Sequence, residues 1–323
     1  MTQLGWAAAA RTDPEVQALR DHLEAHNGLV GLELLDHTEV DRAIRLLERD
    51  GFVVIRDVLD VDQTATLKAE TDRIVRDIIA LDDGRAGNRG SHRYSFGGSS
   101  RTRSMLHEPA WQMLLDLPRL TPIIEAAFGS SDYLLRAASG DFCLPGATEY
   151  QPLHSDMRDA ATDGSTPFSS FRDPRGFLTT RDLPMPYLCV NFLTIDMTPL
   201  NGPTRQIPGT QHARAPFPTL SEEPEWMRLS TVCPAPAGSA MLRDVRAWHG
   251  GTPNLSDDVR SIPNLELYAP WFREPMVPGI SHADWARLGP RARSMTRYSV
   301  ADSSDELDTG LFVEPFVIPS DRR

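Results

Sequence analysis

Three residues of this chain, His154, Asp156 and His249, are of the types that can hold a catalytic metal ion between them. Two imidazoles and one carboxylate on one face of a metal leave the opposite coordination positions open. That donor set is typical of non-heme Fe(II) oxygenases, whose open positions accept a co-substrate together with O2. The three residues therefore indicate oxidative chemistry rather than a closed structural metal site.

The tripeptide His-x-Asp/Glu is weak support when it stands alone. With nine histidines and 45 acidic residues, chance gives about 1.3 matches, and the sequence contains four. Of the other three, the one at His22 lies in a helical pattern, the one at His37 straddles a predicted helix cap at Thr38, and His282 is the last histidine, so no second histidine can follow it. Only His154 follows two strand-like runs, 133–143 and 148–153. Residues two apart on a strand share a face, so His154 and Asp156 can bind one metal ion.

The region after His249 adds a second group of candidates. A turn-rich stretch, 250–254, is followed by Arg260 and the apolar run 262–268. An arginine on the strand after the turn is suited to a bidentate grip on a carboxylate. The Thr252 hydroxyl could contact the same carboxylate, although a threonine in a turn commonly binds the local backbone.

Asn191 is a further candidate, because it lies within the apolar strand-like run 187–197. A buried asparagine needs hydrogen-bond partners. The co-substrate and a purely structural network are equally good explanations of it.

Several segments together resemble the phytanoyl-CoA dioxygenase family of Fe(II)/2-oxoglutarate oxygenases. They are 151–156 (QPLHSD), 201–212 (NGPTRQIPGTQH) and 248–254 (WHGGTPN) with Arg260, and 50–60 (DGFVVIRDVLD) resembles the usual first strand of that family. The resemblance covers roughly residues 40–270. It implies that His154, Asp156 and His249 hold iron, and that Arg260 binds the distal carboxylate of 2-oxoglutarate. Thr210-Gln211-His212 departs from the usual Ser-His.

The resemblance also implies a reaction. Fe(II), 2-oxoglutarate and O2 would oxidise a C–H bond of a small organic metabolite, with hydroxylation as the default and with release of succinate and CO2. The long stretch after Asp156 is unusual, so the identity of the substrate cannot be taken from the family. The family is diverse in secondary metabolism, which is one setting for this reaction. Halogenating relatives have a small residue in place of the carboxylate, so that chloride can bind iron. Because Asp156 is present here, halogenation is not expected. The alternatives are a cupin-like metal or ligand sensor, and a Zn- or Mn-dependent hydrolase or isomerase on the same fold.

Composition limits the other function classes. The net charge of −12 argues against a nucleic-acid-binding protein, which usually has a basic surface. No apolar stretch reaches 18 residues and no signal-peptide pattern begins the chain, which predicts a cytoplasmic protein with no membrane partner. Three widely spaced cysteines read as small buried residues of a reducing compartment.

The pattern along the chain predicts a mainly β fold with added helices. Helical patterns fill much of the first 80 residues, 82–104 reads as a loop, and short strands divided by Pro and Gly follow. Many short strands indicate a barrel or sandwich, and the resemblance implies a double-stranded β-helix (jelly-roll, cupin-like) with N-terminal helices packed outside.

We expect a single oxygenase domain over 1–323, in which the family-like core spans about 40–270. Residues 1–35 form a helical extension, which could pack on a second subunit in a homodimer, and 271–323 form a C-terminal extension. Residues 157–186, with Phe168, Phe171 and Phe177, follow the proposed ligands and are expected to form an active-site lid.

Overall fold

A computed structural model of the chain describes residues 10–160 and 169–316. Within those ranges the helices are α1 (Pro14–His26), α2 (Val40–Asp50), α3 (Val61–Leu81), α4 (Pro109–Met113), α5 (Thr121–Phe128), α6 (Glu225–Leu229), α7 (His282–Arg287) and α8 (Pro290–Met295). None of these helices is both long and apolar enough to cross a bilayer.

The strands of the described residues are mostly short. They are β1 (Leu34–Leu35), β2 (Phe52–Ile55), β3 (Arg93–Ser95), β4 (Leu134–Cys143), β5 (Met157–Asp159), β6 (Ser169–Phe171), β7 (Tyr187–Phe192), β8 (Arg205–Gln206), β9 (Ala240–Asp244), β10 (His249–Gly250) and β11 (Arg260–Tyr268).

Seven strands form one large sheet in the order β1-β2-β9-β7-β11-β4-β3. Its neighbours are antiparallel except for the parallel pair β1 and β2. A smaller layer faces this sheet: β8 pairs with β10, and His154 makes an isolated bridge with His249. This mixed fold, with a large antiparallel sheet and a second β layer, agrees with the predicted jelly-roll core.

Alternation along the strands separates a packed face from an open one. On β11, Leu265 and Leu267 belong to the main hydrophobic core, while Arg260, Asn264 and Glu266 line a cavity. Successive side chains of a strand point to opposite faces, so the same strand can contribute to the hydrophobic core on one face and to the cavity on the other. The outer face is covered by helices α2 and α3, which contribute Leu47, Leu67 and Ile74 to that core.

Local sequence signals set several element boundaries. Asp13 accepts a hydrogen bond from the Glu15 N–H at the start of α1, and Asp60 forms a capping box with Gln63 at the start of α3. Helix α2 ends at Gly51, whose φ of 81° is a left-handed conformation that glycine adopts without a steric penalty.

Other expectations need correction. Helix α2 begins at Val40 after Glu39, and the Thr38 hydroxyl donates to Asp36 in a preceding turn instead of capping the helix. Residues 82–104 are not all loop, because β3 pairs with β4. The expected strand 148–153 is not formed, and isolated bridges flank it at Ala147 and His154. The backbone hydrogen bonds of this segment are too few and too scattered for a ladder.

The predicted lid, 157–186, is described only in part, since 161–168 with Phe168 lie outside the described residues. Its flanks are attached to the fold. Strand β5 pairs with β6, Phe171 packs beside the buried cluster around Tyr187, and Arg181 donates to the carbonyls of Gln211 and Arg246. Phe177 is 77% exposed. The lid role stays a prediction.

Candidate active site

The backbone brings His154 and His249 together directly. Each donates its N–H to the carbonyl of the other, at 3.0 and 2.9 Å, and their rings lie with centroids 4.2 Å apart. The Asp156 N–H donates to the Val245 carbonyl at 2.9 Å, which ties this segment to the turn before β10. One ligand atom from each of His154, Asp156 and His249 can be chosen so that all three lie within 4.8 Å of one another.

Hydrogen bonds orient both imidazoles. The Nδ1 atoms of His154 and His249 each lie 3.1 Å from a carbonyl oxygen two residues earlier, those of Pro152 and Ala247. Carbonyl oxygens only accept, so Nδ1 carries the proton and the lone pair is on Nε2. The His249 Nε2 atom lies 3.4 Å from Asp156 Oδ1. Neutral imidazoles held in this tautomer are suited to binding a metal through Nε2.

Asp156 has a second partner that the sequence analysis did not identify. The Arg243 guanidinium, on β9, donates to Asp156 Oδ2 at 2.8 Å. Burial alone would raise the pKa of the Asp156 carboxyl, but the Arg243 guanidinium beside it holds that pKa well below its ordinary value. Asp156 is therefore a carboxylate, as a metal ligand must be.

Arg260 begins β11 and points into the same cavity, with 4% of its surface exposed. In the sheet register it pairs with Cys143, as Arg93 does from the other side. Among the described residues Arg260 has no ion pair, and its buried Nε has no hydrogen-bond partner. A buried guanidinium without a carboxylate is costly, so this arrangement fits an acidic ligand.

The remaining two candidates from the sequence, Asn191 and Thr252, differ in whether they line the cavity. Asn191 lines the cavity on β7, opposite Asn264, and its amide donates to the Cys189 sulfur at 3.4 Å. Thr252 is fully buried away from the cavity lining, and its hydroxyl donates to the Pro203 carbonyl at 2.6 Å. Pro203 lies 49 residues before Thr252, so this partner is not the local backbone group that a turn threonine commonly binds.

A cavity of about 660 Å³ joins these groups. Its lining includes all three metal-ligand candidates, Arg260, and several further charged residues, among them Arg89, Arg93, Arg103, Arg136, Asp141, Arg243, Glu266 and Glu274. Such a cavity is large enough for a small organic molecule. Its wall is polar, because four strands of the large sheet (β3, β4, β9 and β11) contribute charged residues to it.

Two cavity-lining arginines, Arg243 and Arg136, were not identified from the sequence. They differ in whether a pattern in the sequence could have identified them. Arg243 follows Met241 at a spacing of two in a buried strand, so it shares a face with another cavity-lining residue. Arg136 lies where the β4–β11 register shifts, and that bulge turns it toward Glu266 and Glu274, with which it forms ion pairs. A spacing of two can be read from sequence, whereas a bulge requires the partner strand.

Comparison with known proteins supports what the geometry indicates. The family model described as Phytanoyl-CoA dioxygenase (PhyH) matches residues 47–262, which is more than half of the chain and includes His154, Asp156, His249 and Arg260. The chain belongs to the phytanoyl-CoA dioxygenase family. It is accordingly a non-heme Fe(II)/2-oxoglutarate-dependent enzyme.

Solved structures show the same fold. EctD from S. alaskensis, crystallised with 2-oxoglutarate and 5-hydroxyectoine, is 18% identical with a TM-score of 0.52, over 77% of this chain and 83% of that one. HygX from Streptomyces hygroscopicus, crystallised with nickel and 2-oxoglutarate, is 18% identical with a TM-score of 0.50, over 78% of this chain and 94% of that one. At these identities the likeness establishes the double-stranded β-helix fold.

Proposed function

We propose that this protein is an Fe(II)/2-oxoglutarate-dependent dioxygenase that hydroxylates a C–H bond of a small, polar organic metabolite. One observation carries the proposal: an open cluster of two imidazoles and a carboxylate shares a cavity with Arg260, a buried arginine that lacks an ion-pair partner among the described residues. A metal sensor requires the first feature and not the second.

The donor set fits iron and the cavity fits the co-substrate. His154 and His249 would bind iron through Nε2, because their Nδ1 atoms face carbonyl oxygens. Asp156 would supply the carboxylate. Arg260 would bind the distal carboxylate of 2-oxoglutarate, as a guanidinium can in a bidentate manner. Two proteins of the same fold, EctD and HygX, were crystallised with 2-oxoglutarate.

The bound iron and 2-oxoglutarate supply the oxidising power, as 2-oxoglutarate and O2 become succinate and CO2. The residues of this chain bind and orient. Asn191 and Asn264 are paired on neighbouring strands and line the same cavity as Arg260 and Asp156. Their amides can contact the co-substrate there. The ion-paired group Arg136, Glu266 and Glu274 forms a charged wall on the Tyr268 side of the cavity, which favours a substrate with polar groups.

A two-stage experiment tests the proposal. Fe(II) and 2-oxoglutarate are first added without O2, and the weak visible charge-transfer band of the chelate is sought. O2 is then admitted with a panel of small polar metabolites, and succinate and hydroxylated product are measured by mass spectrometry with ¹⁸O2. Absence of the anaerobic band in the wild-type protein would contradict the proposal, and so would succinate formation that does not require iron.

A further inference from the structure

Arg243 makes a contact that its burial does not by itself explain. It lies on β9 between Phe52 of β2 and Cys189 of β7, and the residue is 4% exposed. One terminal nitrogen donates to Asp156 Oδ2 at 2.8 Å. Its other terminal nitrogen and its Nε are buried and have no hydrogen-bond partner in the part of the chain that the structure describes.

A neighbouring arginine shows what a structural arginine has in this fold. Arg246 is equally buried, and it donates to both carboxylate oxygens of Asp244 and to the carbonyls of Thr180 and Leu183. Burying a guanidinium is costly unless its donors are satisfied. Arg246 meets that condition. Arg243 leaves donors unsatisfied, and its single polar partner among the described residues is one oxygen of Asp156.

The geometry of Asp156 divides its two oxygens between different partners. Oδ2 faces Arg243, while Oδ1 lies 3.4 Å from His249 Nε2, on the side where the imidazoles converge. We propose that Arg243 is a positioning residue that holds Oδ2 away from the metal, so that Asp156 binds iron through Oδ1 alone. This inference rests on the proposed function.

The number of carboxylate oxygens on the metal decides what else can bind. In a six-coordinate site, two imidazoles and one oxygen leave three positions, which suffice for a chelating 2-oxo acid and one further small molecule. A carboxylate that binds through both oxygens leaves two, and the 2-oxo acid fills both. Arg243 thereby keeps the position for O2 available. The strength of iron binding need not depend on it.

The test uses nitric oxide, which binds ferrous iron at the position that O2 would take and gives a characteristic electron paramagnetic resonance signal. Purified protein is loaded anaerobically with Fe(II) and 2-oxoglutarate, and nitric oxide is titrated. We expect Arg243→Gln to retain the chelate band and an Fe(II) Kd within about threefold of wild type, while its nitric oxide affinity falls at least about tenfold. Arg243→Lys, whose ammonium can still hold Oδ2, should regain most of that affinity.

A matched control is available in the same cavity. Arg89 also lines it and forms an ion pair of 3.0 Å, with Asp141, which is not a metal-ligand candidate. Arg89→Gln should leave Fe(II) and nitric oxide binding unchanged. Thermal unfolding of each variant, followed by circular dichroism, separates a general loss of stability from a specific effect at the iron.

Three results would overturn the inference. Arg243→Gln could bind nitric oxide as well as wild type, or it could lose Fe(II) itself, which would make Arg243 a requirement for the site rather than for an open position. Independently of any variant, a crystal structure of the wild-type Fe(II)·2-oxoglutarate complex with both Asp156 oxygens on iron would refute it. A wild-type protein that forms no chelate band would instead refute the proposed function, and this inference with it.

Discussion

Replacing Arg260 with alanine removes the cation that we assign to the distal carboxylate of 2-oxoglutarate. Arg260 is 4% exposed, and the described residues give it no competing carboxylate. Truncating one partner of a buried, hydrogen-bonded charge pair costs about 2–5 kcal/mol. Because the cavity admits water that can solvate the freed carboxylate, we take the lower end, about 2 kcal/mol, which corresponds to roughly a 30-fold weaker Kd.

The assay is an anaerobic titration of the Fe(II)-loaded protein with 2-oxoglutarate, followed by the chelate band. It requires no substrate. The Fe(II) affinity of Arg260→Ala should match that of wild type, because Arg260 contacts none of the three metal-ligand candidates.

A second ligand makes this prediction specific to the distal carboxylate. 2-Oxopentanoate has the same chelating end as 2-oxoglutarate and lacks that carboxylate. Wild type should bind 2-oxoglutarate at least about tenfold more tightly than 2-oxopentanoate, and Arg260→Ala should bind the two with nearly equal affinity. If the variant kept the wild-type preference, Arg260 would not be the residue that binds the distal carboxylate, and Arg93, on the other side of Cys143, would be the next to test.

Three further predictions follow from the structure. His249→Ala should abolish the anaerobic chelate band while the far-ultraviolet circular dichroism is retained; a normal band would exclude His249 as a ligand. A Cβ at Gly251 would overlap Arg93 Nε, so Gly251→Ala should lower stability by about 1–3 kcal/mol in urea unfolding, whereas Gly84→Ala, where a Cβ meets no atom, should be near neutral. If 157–186 is a lid, trypsin cleavage after Arg175 should slow when a substrate identified by succinate release is added to the Fe(II)·2-oxoglutarate form; equal rates would mean that the segment does not close over the site.

Local and short-range signals in the sequence were sufficient for much of the outer fold. The helical patterns expected in the first 80 residues correspond to α1, α2 and α3, and the segment 50–60 that resembles the family's first strand contains β2, since periodic or continuous hydrophobic patterns with nearby Pro or Gly mark these elements. Residues 148–153 were wrongly expected to be a strand. A strand requires partners along its length, and this segment has only scattered ones: the Gln151 N–H donates to the Gly251 carbonyl, and isolated bridges flank the segment at Ala147 and His154.

Residue type and spacing were enough to nominate the metal-ligand candidates and Arg260. The donor types, the two-residue separation of His154 and Asp156, and the position of Arg260 after a turn can all be read along the chain. The placement of Thr252 could not be read in this way. Its hydroxyl has a carbonyl partner, that of Pro203, which is distant in sequence and adjacent only in the fold.

Only the tertiary structure determined the electrostatic surroundings of the site. The partnership of Arg243 with Asp156 joins residues 87 positions apart, and that of Arg136 with Glu266 joins residues 130 apart. Strand order and a bulge bring these charges within hydrogen-bonding distance, and no local pattern encodes either. The sequence by itself thus determined which chemistry the chain can carry out, because donor types belong to residues. The fold determined how each carboxylate oxygen is used, because hydrogen-bond partners belong to the three-dimensional arrangement.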